Sequence, residues 1–234
     1  MHLTGKLSEL TRNLYLEISS RLQAQPMTVL YRVPYTSQFA SPEYAEKVLL
    51  KNIPASFDPI WLETGATSAE EYVTWVTTIC GMACTVMALE YFKQTKHQTI
   101  SLARDAFSHH VYQLHRKELS GLRYKEYCSW VAAYKLQAAV YSRLSITGVR
   151  QLLAEGKLVI ASVNPNIRGI ATMPKEQIGG HLVLVVGYDK MNDTLTIHNP
   201  SGFTSNESHR FHTVSTKYFN SYFAQRGISL ITSM

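Results

Sequence analysis

Two cysteines lie close together at the start of an apolar stretch, in TTICGMACTVMALEYF at positions 77–92. Cys80 stands where helical periodicity begins, and a helix N-terminus stabilises an anion through its free N–H groups and its dipole. This position therefore predicts a lowered pKa for the Cys80 thiol. Gly81 would leave room for a substrate carbonyl to approach. Cys80 is the candidate nucleophile, although free cysteines are also common as inert core residues.

The second cysteine, Cys84, is one helical turn further on and shares a face with Cys80. Two thiolates could contribute to a metal site, but zinc needs four ligands at characteristic spacing. His97 and the pair at positions 109 and 110 complete no such pattern. We therefore expect no metal, with Cys84 as an apolar filler and Cys128 as a helix-face residue without a partner.

A cysteine nucleophile needs a base, and His181 in IGGHLVLVVGYD is the best candidate. The two preceding glycines give access in front of it, and the apolar strand behind it is a rigid mount. The next strand, TLTIHNP, alternates so that Asn199 shares a face with Leu195 and Ile197. An amide there could accept the other ring N–H of His181. The alternative is that HNP is only a strand end entering an Asn-Pro turn.

A fixed side-chain donor near the nucleophile would stabilise the oxyanion of acyl transfer, and Gln38 in VPYTSQFASPEY is the candidate. In the order Gln38, Cys80, His181 and Asn199, the chain resembles the papain superfamily. Within it, the chain is similar to the bacteriocin-processing, double-glycine leader peptidases and their stand-alone relatives. The motifs that carry this resemblance are VPYTSQ, CGMACTVMALEYF, GGHLVLVVGYD and IHNPSG.

The resemblance implies a papain-like fold and assigns one role to each of the four residues. Cys80 rather than Cys84 is the nucleophile, because the leader-peptidase pattern places it first, and His181 is the base. Asn199 orients that base, and Gln38 is the oxyanion donor. Asn stands where Asp is commoner in the family.

Three functions are compatible with these residues. The first is a cysteine-dependent hydrolase that cleaves a peptide or amide bond through a thioester acyl-enzyme, with no cofactor. The second is an acyltransferase or amide-forming enzyme, in which an amine intercepts the same intermediate. The third is a non-catalytic binding module on a papain-like scaffold.

The elements that would position the site predict an α+β architecture, with a helical front half followed by an antiparallel sheet. Residues 7–22 carry leucines and an isoleucine at helical spacing, which predicts an amphipathic helix packed against the body. Further helices are predicted around 42–50, from Cys80 onward, and at 101–114, 123–136 and 145–155. Strands are predicted at 27–35, 157–164, 181–189, 194–200 and 226–232, with KMND as a hairpin turn between the third and the fourth.

The whole chain, residues 1–234, is predicted to be one domain with an N-terminal helical extension at 1–26 and an insertion at 39–78. The insertion separates Gln38 from Cys80, so its ends must meet beside the site. Its tryptophans, Trp61 and Trp75, should dock it on the body, and Thr67 or Ser68 should cap a short acidic helix. Such a segment could be a lid that selects substrate or only a support for the fold.

Composition excludes several classes of protein. The net charge is +6, but Lys and Arg are scattered, so no nucleic-acid partner is predicted. No apolar run has the length of a membrane span, and the first residues lack the apolar core of a signal peptide. The odd number of cysteines, 3, argues against a disulfide framework. We expect a cytoplasmic protein that acts on a peptide or amide substrate.

Overall fold

A computed structural model describes residues 2–116, 118–171, 173–174 and 176–233, with side chains described from residue 8 onward. The α-helices, α1 to α8, are His2–Leu22, Tyr44–Leu49, Ala69–Val76, Cys80–Lys93, Thr99–Ser108, Tyr124–Val131, Ile146–Ala154 and Thr216–Tyr222. The strands, β1 to β9, are Thr28–Leu30, Leu114–His115, Glu118–Leu119, Leu136–Tyr141, Leu158–Val163, His181–Asp189, Thr194–His198, His212–Ser215 and Phe223–Thr232. The predicted α+β arrangement, with helices first and the main sheet later, is confirmed.

The main sheet has the strand order β4-β9-β5-β6-β7-β8, and β1 pairs with β6. All of these pairs are antiparallel, and β6 and β7 form the predicted hairpin. The long apolar strand β6 is buried on both faces because helices cover both sides of it. Leu184 and Val186 join the core that contains α4, whereas Val183 and Val185 join a second core with α1 and α7. The sheet is therefore the wall between two apolar cores.

Several stretches differ from the prediction. The first strand covers only 28–30 of the expected 27–35. The helix expected at 123–136 ends at Val131, continues as a 3₁₀ turn to Tyr134, and gives way to β4. Lys135, at φ +57°, adopts the left-handed conformation that ends this turn without a glycine. The helix expected at 101–114 ends at Ser108. Strands β2, β3 and β8 and helix α8 were not predicted.

Helix α1 ends at Leu22 as predicted but begins at His2 rather than at residue 7, and it buries a different face from the one expected. The apolar residues used to predict its inner face are exposed, including Leu10, Leu14 and Ile18 at 60%, 59% and 48%; the side chain of Leu7 lies outside the described part of the chain. The buried face instead carries Leu16 with Asn13, which donates to the Ser142 hydroxyl at 3.1 Å. The expectation that the apolar stripe packs on the body is therefore wrong, since a mostly polar face makes that contact.

The segment between Gln38 and Cys80 is firmly packed. Asp58 is buried and its carboxylate accepts hydrogen bonds from the Ser41 N–H and hydroxyl and from the Tyr72 hydroxyl, at 2.6–2.9 Å. Ser68 caps α3 by accepting from the Glu71 N–H at 3.1 Å, as predicted. Trp75 is buried, and Trp61 is half-buried against the α4 core.

Among the described residues no single helix is both long enough and apolar enough to cross a membrane; α3 and α4 together reach that length and composition, but they are bent by 93°.

Candidate active site

A cleft of about 750 Å³ opens where α4 meets the start of β6. Cys80 is the first residue of α4, and His181 is the first residue of β6. Gln38 also lines the cleft. The remaining lining residues come from the insertion, the α6 region, strands β5, β6 and β9 and the loop between β5 and β6: Leu49, Thr77, Thr78, Gly121, Leu122, Tyr124, Ser162, Pro165, Arg168, Met173, Gly180, Leu182 and Arg226. Three of the four predicted site residues therefore share one cleft.

The fourth, Asn199, lies directly behind His181. Its Oδ1 is 2.7 Å from His181 Nε2, and both side chains are buried. The predicted alternation accounts for this contact, since Ile197 on β7 and Val183 on β6 pack into the same core. An amide oxygen can only accept, so Nε2 carries the hydrogen and Nδ1 is the acceptor nitrogen of a neutral ring.

Gln38 joins the two ends of the insertion. Its Nε2 donates to the Val76 carbonyl at 2.9 Å, and its backbone N–H donates to the Pro200 carbonyl at 2.9 Å. The Val76 carbonyl fixes the amide orientation, because the reversed amide would place two oxygens together. The second Nε2 hydrogen makes no hydrogen bond among the described residues, and the buried Oε1 likewise has no partner there. The ends of the insertion therefore meet beside the site, as the sequence required.

Gly81 is needed for packing. A Cβ on Gly81 would lie 2.6 Å from Leu122 Cδ1, closer than such carbons approach, and 3.0 Å from Leu182 Cδ1, so these leucine side chains would have to shift. They fix the first turn of α4 against β6 and the loop before α6. The expectation that Gly81 also leaves room for a substrate carbonyl stays a prediction.

The electrostatics of Cys80 differ from the prediction. Burial raises the pKa of the Cys80 thiol, and the opposing effects of the Leu182 and Gly81 N–H groups and of Arg168 do not offset it. The expected lowering of this pKa is therefore wrong. Burial, together with the nearby Arg168 charge, also lowers the pKa of His181 to about 3. Both shifts favour the uncharged forms, a thiol at Cys80 and a neutral imidazole at His181.

Sequence reasoning missed Arg168 and Ser201. Arg168 is buried, and its Nε donates to the Ser201 carbonyl at 2.9 Å and to the Ser201 hydroxyl at 3.1 Å. The Ser201 hydroxyl is 3.2 Å from His181 Nε2, and the Ser201 N–H donates to Asn199 Oδ1 at 3.2 Å. Ser201 belongs to the NPSG segment and could have been noted there, whereas no local signal marks Arg168.

The other cysteines lie outside this arrangement. Cys84 is fully buried, with its Sγ 3.8 Å from the Leu182 carbonyl, and burial keeps its thiol pKa well above the ordinary value. Burial likewise raises the pKa of Cys128 to about 12. The part of the chain that the structure describes holds no cluster of three or more potential metal ligands of the His, Cys, Asp and Glu types.

Comparison with known proteins gives a consistent result. The family model described as "Peptidase_C39 like family" matches residues 32–229. A Bacillus anthracis protein described as a C39-like peptidase is 14% identical, with 88% of this chain and 98% of that chain covered and a TM-score of 0.53. The peptidase domain of Streptococcus ComA, a bi-functional ABC transporter involved in a quorum-sensing pathway, is 12% identical, with 68% of this chain and 93% of that chain covered and a TM-score of 0.44. No curated protein matches this chain. The family model and the Bacillus anthracis structure confirm the predicted papain-like fold.

Proposed function

Because the chain belongs to the Peptidase_C39-like family, we propose that it is a cysteine-dependent hydrolase that cleaves a peptide or amide bond through a thioester acyl-enzyme. The observation that supports this most is the convergence of Cys80, His181 and Gln38 on one cleft, with Asn199 2.7 Å behind the imidazole. A nucleophile, a base, an orienting group and an oxyanion donor are the groups that acyl transfer requires.

In the acylation step, Cys80 Sγ attacks the substrate carbonyl while its proton passes to His181 Nδ1. Nε2 keeps its hydrogen on Asn199 Oδ1, which leaves Nδ1 as the nitrogen that can accept a proton. Because the thiol pKa is raised and the imidazole pKa is lowered, the proton moves during the attack rather than before it. The imidazolium that forms then returns this proton to the leaving amine.

The oxyanion that develops on the substrate carbonyl is stabilised by hydrogen bonds from two kinds of donor. One is the remaining Nε2 hydrogen of Gln38, and the other is the set of N–H groups in the first turn of α4, which have no partner within the helix. Donors that are fixed before the reaction stabilise this charge without reorganising. Water activated by His181 then hydrolyses the thioester and restores the thiol.

No metal or cofactor takes part in these steps. We expect the protein to act in the cytoplasm, where its three free cysteines stay reduced. The substrate is a peptide or amide, and the family membership does not by itself define the cleaved sequence.

Cleavage of a complex peptide mixture tests the proposal. We expect the wild-type protein to generate new peptide termini, and Cys80→Ala to generate none. Cys84→Ala is the matched control, because it removes the same atom one turn away and outside the cleft, and it should keep most of the activity. Equal loss in both variants, or cleavage by Cys80→Ala, would overturn the proposal.

A further inference from the structure

One end of the cleft is polar and lies beside the glycines that precede His181. A Cβ on Gly179 would lie 2.7 Å from an Arg226 guanidinium nitrogen and 2.9 Å from the Ser162 hydroxyl. Gly179 has φ +79°, so its conformation and its lack of a side chain both favour glycine here. Arg226 and Ser162 therefore lie directly over the backbone two residues before His181.

Tyr124, the first residue of α6, completes this group. Burial raises the pKa of Tyr124, and the Ser162 hydroxyl and the Arg226 guanidinium act against this rise. All three residues line the cleft that contains Cys80. Since they come from α6, β5 and β9, separate parts of the chain place three hydrogen-bond donors together.

The charge of the cleft has one sign. Its lining includes Arg168 and Arg226 but no Asp or Glu. Arg168 is buried and bound to Ser201, whereas Arg226 is exposed, and no described acidic side chain lies within ion-pair distance of it. Arg226 is therefore the cation that a ligand in the cleft can reach.

We propose that Arg226, Tyr124 and Ser162 form a subsite for a substrate carboxylate next to the scissile bond. A planar guanidinium binds a carboxylate through two parallel N–H donors, and the two hydroxyl groups supply further donors to the same oxygens. Two residues of extended chain span at most about 7 Å, so Gly179, over which Arg226 lies, is within about two substrate residues of His181. The carboxylate belongs either to an acidic side chain beside the scissile bond or to a chain terminus.

This inference rests on the proposed function, because a subsite beside a scissile bond requires a substrate that is cleaved. Its test does not require the protein to cleave a substrate. Iodoacetate and iodoacetamide alkylate the same thiol and differ in one carboxylate. The ratio of their rates at Cys80, followed by mass spectrometry of the Cys80 peptide, reports whether the cleft attracts an anion. We expect Arg226→Gln to lower this ratio about tenfold. Arg21→Gln, which removes an equal charge from an exposed position on α1, should leave it unchanged.

A second measurement separates the two sources and does not depend on Cys80 reactivity. Three small compounds serve as probes. N-acetylglutamic acid α-amide carries a side-chain carboxylate, and N-acetylglutamine carries a terminal carboxylate. N-acetylglutamine amide carries no carboxylate. Each is titrated by NMR into Cys80→Ala protein with and without Arg226→Gln. We expect one of the two anions to bind about tenfold more tightly than the neutral compound, and to lose that advantage with Arg226→Gln. Equal affinities for all three compounds would overturn the subsite, and so would an alkylation ratio in Arg226→Gln that is within twofold of the wild-type ratio. Failure of peptide cleavage alone would count only against the proposed function.

Discussion

At the scale of single residues, His181 is oriented by a neutral amide rather than a carboxylate. Asn199 Oδ1 fixes the ring tautomer but brings no negative charge to stabilise an imidazolium. The charged group that acts on both Cys80 and His181 is the Arg168 guanidinium, which lowers the pKa of each. The site therefore favours a thiolate electrostatically more than it favours an imidazolium.

Replacing Arg168 tests this balance. Because its charge lowers the Cys80 pKa, Arg168→Gln should move upward the pH at which iodoacetamide alkylates Cys80 at half its maximal rate. The neutral reagent avoids any direct attraction to the cleft. Arg168→Lys keeps the charge and should restore most of the shift.

Because Arg168 is buried and bonded to Ser201, both variants are first checked by thermal unfolding. A half-maximal pH that is the same in wild type and in a folded Arg168→Gln protein would show that Arg168 only holds Ser201 in place. The predicted upward shift, with rescue by lysine, would not arise from a packing role alone.

At the scale of elements, α1 gives a matched pair of substitutions. Leu16 is 5% exposed and packs into the core shared with α7, whereas Leu14 on the same helix is 59% exposed. Leu16→Ala should lower the free energy of unfolding by about 2–4 kcal/mol. Leu14→Ala should change it by less than about 0.5 kcal/mol. Urea unfolding measures both, and equal effects would contradict the orientation of this helix.

The insertion between Gln38 and Cys80 gives a second matched pair of substitutions. Leu49 lines the cleft, whereas Trp61 packs against the core away from the lining. Leu49→Ala should change kcat/KM for a cleaved peptide at least a few-fold with a near-normal Tm. Trp61→Ala should lower the Tm and leave kcat/KM of the folded fraction unchanged. A changed kcat/KM in Trp61→Ala at normal Tm would instead indicate that the whole insertion acts as a lid.

The helices and strands show which parts of the fold sequence patterns can predict and which parts they cannot. The β6–β7 hairpin was predicted because two β-rich runs flank the polar KMND turn. Strand β4 was missed because LQAAVY lacks a β-rich run and Lys135, rather than a glycine, ends the preceding turn. The outward face of α1 could not be foreseen, since periodicity predicts that a stripe exists but not which surface the helix meets.

The site residues also fall into two groups, those that a local sequence pattern marks and those that it does not. Cys80, His181 and Asn199 each stand in a recognisable local context, a helix start or a strand end. Arg168, Tyr124 and Arg226 reach the cleft only through the packing of distant elements. The pKa of Cys80 was predicted with the wrong sign because the helix start was visible in the sequence and the burial around it was not.

At the scale of the whole molecule, two buried neutral histidines make stability depend on pH. Burial lowers the pKa of His181 to about 3 and that of His198 to about 4, from an ordinary value of 6.5. His198 is held neutral by donating from Nε2 to the Val33 carbonyl and accepting at Nδ1 from the Phe211 N–H. The unfolded chain therefore binds more protons than the native protein below pH 6.5.

The stability that these residues provide is fully present above pH 6.5 and is lost as the pH falls from there toward 3 to 4. His181→Gln should therefore reduce the slope of unfolding free energy against pH, between about pH 4.5 and 6, by about 1.4 kcal/mol per pH unit. Urea unfolding at several pH values measures this slope. An unchanged slope would mean that His181 titrates normally in the native protein.

The central claim, that Cys80 forms an acyl-enzyme, is tested most directly by burst kinetics with a p-nitrophenyl ester of an N-acylated amino acid. We expect a rapid release of nitrophenol equal to the enzyme concentration, with intact-mass detection of one acyl group on the peptide that contains Cys80. Cys84→Ala should keep the burst, and Cys80→Ala should abolish both the burst and the adduct. A burst that persists in Cys80→Ala, or an acyl group found on another residue, would contradict the account.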